Sequence, residues 1–278
     1  MERLLLVDGM NLLFQMFYGM PAQITGPAGK PIQGTLGFVG ALLKIIRMVQ
    51  PTHLAVLFDG ECGNPRKELD PAYKANRPDY SEEEEMPFTQ LPDIYRALEY
   101  MEIPWAETSD CEADDWIAGY VAALADRMDI VIASQDSDFF QLIRDNVTVL
   151  RYRGEKTVLC DRNYIRQKLN IQPEQYAAFK SLTGDTADNI RGAEKIGPKT
   201  AAELMNQFGN LEALIAGVDL IRKPSVRESV IRNQERIRLN HLLIRLDGAE
   251  ELPFAPEELH YQDSGVTTME VLKAIGLR

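Results

Sequence analysis

Apolar residues come in short runs that stop at acids. "RLLLVDG" (3–9) reads as a buried strand ending at Asp8, and "THLAVLFDG" (52–60) as a second ending at Asp59. "DIVIASQDSDFFQLI" (129–143) predicts a third, running into Asp136 and Asp138, and "VTVLRY" (147–152) a fourth. Between them the period lengthens. "GTLGFVGALLKIIRMVQP" (34–51) carries apolar residues at helical spacing and stops before Pro51, and further helices are predicted near 87–101 and from "CEADDWIAGY" (111–120) onward. Strands alternating with helices predict an α/β fold, a mostly parallel central sheet flanked by helices. Past about residue 160 the strand signals vanish, so an α/β core over 1–160 precedes a helical domain over 161–278. In the latter, "ESVIRNQERIRLNHLLIRL" (228–246) predicts one amphipathic helix with a basic face. Residues 61–86 show no period and mix basic, aromatic and acidic groups; a loop that long is functional or mobile, or simply a solvated polar segment.

Composition narrows the class. The chain has 278 residues, 45% of them hydrophobic, as soluble globular proteins do. No apolar run approaches a membrane span, and the N-terminal one is too short for a signal-peptide core. Three scattered cysteines (Cys62, Cys111, Cys160) without CxxC spacing argue against a disulfide framework or a zinc site and for a cytoplasmic protein. Met1 and the helical ending predict a free-standing protein. A net charge of −12 argues against a nucleic-acid partner, unless many of the acids are gathered in one place and offset there.

The strand pattern gathers them. In a parallel sheet the carboxyl ends of the strands share one edge, where open α/β folds bind ligands. Asp8, Asp59, Asp136 and Asp138 converge there, and the helix opened by Glu112, Asp114 and Asp115 starts from the same edge. Singly, each is explained as a cap, a turn residue or a partner of the helix dipole. Together they cannot all stay ionised: two such charges about 4 Å apart repel by roughly 4 kcal/mol at an effective dielectric near 20. No basic residue neighbours them in sequence, so divalent metal is the economical explanation, and hard oxygen donors favour Mg²⁺ or Mn²⁺. Asp185 and Asp188, in "LTGDTADNIRG" (182–192), read alone as turn residues. "GAEKIGPKTAAEL" (192–204) sets Pro198 at a helix start with Lys199 and Thr200 behind it, which suits either a phosphate site or an ordinary interhelical turn. A P-loop fails, because the spacing carries an extra Pro and no strand precedes it.

In order along the chain, "LLLVDG", "AVLFDG", "YKANRP", "EADD", "SQDSDFFQL", "GDTADNIRG" and "KIGPKTA" resemble the 5′ nuclease (flap endonuclease) family from residue 4 to about 210. The resemblance implies a PIN-like nuclease core with a helical arch at about 61–90, and a helix–three-turn–helix at about 184–208. It implies two divalent ions on Asp8, Asp59, Glu112, Asp114, Asp115, Asp136, Asp138, Asp185 and Asp188, and K⁺ on the carbonyls of the helix–three-turn–helix. Tyr73, Lys74 and Arg77 match the substrate-handling residues; Arg66, Gly192, Ile196, Gly197, Lys199 and Thr200 match DNA-binding positions. The implied activity is 5′-3′ exonuclease and structure-specific 5′-flap endonuclease on DNA or RNA–DNA hybrids in replication and repair. The implied protein is a monomer at the bacterial nucleoid. Four positions depart from the family pattern without removing an acid: Gln15 for Arg, Ser137 for Lys, Arg191 for Pro and Lys195 for Gly. A PIN-type ribonuclease shares the carboxylate pit but lacks the Gly–Lys hairpin. A catalytically weak structure-specific DNA-binding protein sheds acids that this chain keeps.

Overall fold

The computed structural model describes residues 2–20, 22–27, 29–60, 65–76, 86–249 and 251–278; Arg77 and parts of the predicted arch, 61–64 and 77–85, lie outside them. The first elements are β1 (Arg3–Asp8), α1 (Gly9–Gly19), α2 (Gln33–Val49), β2 (His53–Phe58), α3 (Pro65–Leu69) and α4 (Leu91–Tyr100). Then come β3 (Trp105–Glu107), α5 (Ala113–Leu124), β4 (Asp129–Ala133), β5 (Val147–Arg151) and β6 (Val158–Cys160). Among the described residues these strands form one six-stranded sheet in the order β3-β2-β1-β4-β5-β6, parallel except for β6.

The inner strands are apolar nearly throughout because both faces are covered, as a parallel sheet requires. Alternate residues serve opposite layers. Leu5, Val7, Leu54 and Val56 pack with α2 and α4, and Leu4, Leu6, Ala55 and Leu57 with Ile117, Tyr120 and Val121 of α5. The sequence pattern misses β3, which has three residues and only partial burial, and β6, also of three residues. It misses α1 as well, whose start Asp8 caps by accepting the Asn11 N–H at 3.0 Å. β4 stops at Ala133, so Asp136 and Asp138 lie in the turn beyond the strand.

The helical part holds α6 (Arg162–Leu169), α7 (Tyr176–Thr183), α8 (Pro198–Phe208), α9 (Leu211–Ala216), α10 (Pro224–Arg232) and α11 (Gln234–Ile244). The helix predicted over 228–246 is two, broken at Asn233, whose side-chain amide donates to the Ser229 carbonyl at 2.8 Å. Strand structure does not vanish past residue 160 either: β7 (Gly184–Asp185) and β8 (Ile190–Arg191) form a small antiparallel hairpin between α7 and α8. The α5 side of the sheet and this part share one apolar core, which runs on into Leu182, Leu204, Val230 and Ile237. The final helix, α12 (Thr268–Ala274), returns to the opposite layer, where Val271 and Leu272 are buried against α2 and α4. No described helix is long and apolar enough to cross a membrane.

The hairpin is shaped by its glycines. Gly184 has φ +80°, and a Cβ there would lie 2.4 Å from the Gly192 nitrogen. A Cβ on Gly192 would meet the Thr183 carbonyl oxygen at 2.3 Å. Asn240 of α11 ties the hairpin down, its Nδ2 donating to the carbonyls of Ser181 and Arg191 at 3.0 and 2.9 Å. Gly192→Ala is expected to destabilise the protein by about 1–3 kcal/mol, read as a lower urea midpoint; an unchanged midpoint would show that the hairpin gives way without cost.

Candidate active site

Asp8, at the end of β1, is buried. It accepts hydrogen bonds from the Asn11 N–H and, at 2.8 Å, from the Ser134 hydroxyl. Asp59 follows β2 and accepts the Ala113 N–H at 2.7 Å, at the start of α5. Asp136 accepts the Asp138 N–H at 2.8 Å within the turn after β4. The parallel register thus collects acids from three chain segments at one edge. Lys74, Asp8, Asp59, Asp114 and Asp136 line a cleft of about 720 Å³, together with Phe14 and Phe88.

Electrostatics divides the acids. Burial, with the nearby charges of Asp59 and Asp136 added, pushes the Asp8 carboxyl up to about 7, against the pull of its two hydrogen bonds. Burial also drives Asp114 well above the carboxylate range, reinforced by Asp136, Asp8 and Asp59 and opposed by Lys74. Asp138 is raised well above it by burial and by Asp136, with Lys180 opposing, and its Oδ1 is buried without a hydrogen-bond partner. Asp136 is raised by burial, partly offset by the Asp138 N–H. For Asp185, burial is outweighed by the hydrogen bond and charge of Lys180, so its carboxyl lies below the usual range.

Cations distant in sequence meet Glu112 and Asp115, and Lys180, five residues away, meets Asp185, which corrects the expectation drawn from sequence neighbours. Arg66 of α3 grips Asp115 with both terminal nitrogens (Nη2–Oδ1 2.7 Å, Nη1–Oδ2 2.9 Å) and Glu112 at 2.7 Å, while its Nε donates to the Leu243 carbonyl at 3.0 Å. Burial alone would weaken the guanidinium's hold on its proton; the hydrogen bond to Asp115 and the charges of Asp115 and Glu112 strengthen it on balance. The Lys74 ammonium pairs with Glu112, and Lys180 with Asp185. Glu112 and Asp115 also form the capping box of α5. Among the described residues no three Asp, Glu, His or Cys side chains stand close enough to hold one metal ion as they are. Like charges keep the carboxylates apart, and main-chain N–H groups, Ser134 and basic residues hold them. The donor set nonetheless suits a hard cation: all oxygen, mutually repelling and desolvated, with Asp138 Oδ1 unsatisfied.

Other expected site residues take different places. Tyr73 is buried, packed with Ala177, Ile190, Leu243 and Ile244, and its hydroxyl donates to Glu112 at 3.3 Å, so its ring offers no open face for stacking on a base. Arg66 is buried on carboxylates and not presented to a DNA backbone. Ile196 is buried in the apolar core, and Gly192 is wedged against Thr183. Gly197 and Lys199 are exposed and Thr200 half-buried at the start of α8, whose N-cap makes no side-chain hydrogen bond. Asp188 offers its carbonyl to the Lys74 N–H at 2.9 Å. Of the departures, Gln15 donates to the Tyr152 carbonyl at 2.6 Å, and Lys195 keeps a left-handed φ of +63° that glycine adopts more readily. Sequence reasoning overlooks Lys180, Ser134 and Asn11, which hold the acids. The only hint is that Ser134 precedes Asp136 in "ASQDSD".

The chain matches the family model described as 5′-3′ exonuclease, N-terminal resolvase-like domain, over residues 3–170, and that for the 5′-3′ exonuclease, C-terminal SAM fold, over 171–266. It is 36% identical over 253 residues to DNA polymerase I of Rhizobium leguminosarum, covering 88% of this chain and 24% of the relative. To the thermostable DNA polymerase I of Thermus filiformis it is 34% identical over 247 residues, covering 88% and 28%. The chain thus spans about a quarter of the length of these curated relatives. Among solved structures, the T5 5′-exonuclease with bound zinc superposes with a TM-score of 0.73 at 25% identity, covering 88% of this chain and 90% of that one. The catalytic core of Rad2 in complex with DNA substrate shares the fold, with a TM-score of 0.59 at 15% identity, covering 99% and 92%.

The buried Arg66 cluster gives its own test. Arg66→Met strands Glu112 and Asp115 without their guanidinium and is expected to cost about 3–5 kcal/mol of unfolding free energy, measured by urea denaturation in chelator. A loss below about 1 kcal/mol, the size of an exposed pair, would show that the cluster is open to water.

Proposed function

This chain belongs to the 5′-3′ exonuclease family, and from that membership we propose that it hydrolyses phosphodiester bonds of DNA from 5′ ends and at 5′ flaps, with divalent metal. One observation carries the reading: Asp8, Asp114 and Asp138 all lie within electrostatic reach of Asp136, in a setting that disfavours their charge, with one oxygen unsatisfied. These four would hold the metal, with Asp59, Asp185 and Asp188 around them. Glu112 and Asp115 would act from the α5 capping box. Two Mg²⁺ or Mn²⁺ ions suit an all-oxygen set. Bound there, they supply activation of a water and charge stabilisation on the phosphodiester.

The chain's own residues position the substrate. Lys74 is held at the cleft by Glu112 and by its N–H on the Asp188 carbonyl, with a strained φ of +55°, and its ammonium would stand beside the reacting phosphate. Arg77 would serve the same end from the arch. Tyr73 would act by fixing Glu112 and Lys74. The open start of α8, with Gly197, Lys199 and Thr200, suits a duplex phosphate. The left-handed Lys195 supports a turn that would seat K⁺ on main-chain carbonyls. None of these contacts reads bases, so the partner is DNA by structure and not sequence, RNA–DNA hybrids included. A monomer working at the nucleoid fits these features.

Two variants test the assignment on a labelled 5′-flap duplex. Asp136→Asn is expected to abolish Mg²⁺-dependent cleavage and leave duplex binding intact; full residual activity rules out the site. Lys74→Ala is expected to lower kcat by about 10²-fold or more, as removal of a charge-stabilising donor does, with little change in KM. The reverse pattern makes Lys74 a tether only.

A further inference from the structure

Two acids of the pit, Asp8 and Asp136, come from segments distant in sequence, and a pair of hydrogen-bonded bridges ties those segments together. The Ser134 hydroxyl, buried at 5% exposure, donates to Asp8 Oδ2 at 2.8 Å and accepts the Asp136 N–H at 2.9 Å. Its one proton and one lone pair are thereby both directed, one to each acid-bearing turn. Asn11 makes the second bridge. Its N–H donates to Asp8 Oδ1 at 3.0 Å, and its side-chain Oδ1 accepts the Gln135 N–H at 2.9 Å. Both oxygens of Asp8 are thus engaged, by groups that also hold the 134–136 segment.

We propose that Ser134, assisted by Asn11, is a positioning residue that sets the spacing and orientation of Asp8 and Asp136 and so fixes the affinity of the pit for its divalent ion. The inference rests on the metal-site reading above. Without the clasp the two carboxylates, which repel each other, are free to turn apart. An ion binding there then has to order them at its own expense. Groups that orient metal ligands typically contribute about 10–100-fold to metal affinity. Threonine in place of Ser134 keeps the hydroxyl, whereas alanine removes it at almost the same volume.

The test is Mn²⁺ binding to the full chain without DNA, followed by the electron paramagnetic resonance of free Mn²⁺, with thermal denaturation in chelator run alongside. The expected result is a Ser134→Ala affinity weaker by about 10–100-fold, with Ser134→Thr near the parent. Asn11→Ala, which removes the second bridge and leaves the Asp8 hydroxyl contact in place, is expected to show a smaller loss. Parent-like Mn²⁺ affinity in Ser134→Ala overturns the proposal while leaving the metal site standing. Equal weakening in Ser134→Thr and Ser134→Ala also overturns it, since the hydroxyl is then not what matters. If Ser134→Ala does not fold, parent-like affinity in Asn11→Ala serves as the overturning result. A parent chain that binds no Mn²⁺ overturns both this inference and the metal-site reading.

Discussion

Mutual repulsion of buried carboxylates governs the molecule. A parallel sheet brings the ends of its strands to one edge, and here β1 and β2 and the turn after β4 deliver acids to it. Taking those groups out of water disfavours their charge, and each neighbour adds to the penalty. The fold contains this unevenly. At its flanks it uses protein cations, with Arg66 on Glu112 and Asp115, and Lys180 on Asp185. At its centre Asp8, Asp114 and Asp138 each feel the charge of Asp136, with no protein cation among the described residues paired to all of them.

Around that centre the rest of the structure is support. The apolar layers leave the strands no freedom to change register, since a slip of one residue would turn each core side chain outward. Helix α5 is held at its first turn by Asp59 on the Ala113 N–H and by the Arg66 cluster. The same Arg66 reaches the Leu243 carbonyl near the end of α11, so α3, the acid-bearing helix and the helical part meet at one guanidinium.

Much of this was legible in the sequence. Strand ends at Asp8 and Asp59 follow from apolar runs that stop at an acid, and the gathering of the acids follows from parallel order alone. What stayed hidden was pairing over long separations. Arg66 and Glu112 are far apart in the chain, and only the fold shows that the arginine neutralises acids and is not presented to a phosphate backbone. Tyr73 is a second case: its burial against Ala177 and Leu243 depends on where α7 and α11 pass, which its neighbours in the chain do not show. Short elements such as β3 and the β7–β8 hairpin fall below the length at which periodicity carries information.

The return of α12 to the first layer has a mechanical result. The chain leaves the sheet, builds the helical part, and comes back to pin Val271 and Leu272 against α2 and α4, with the Tyr261 N–H on the Thr52 carbonyl at 2.8 Å. The helical part is therefore clamped at both ends and cannot swing as a tethered arm would. On the function proposed above, a double helix gripped at the start of α8 would be held at a fixed offset from the acids, so the scaffold would behave as a gauge and the point of scission would be measured by protein geometry.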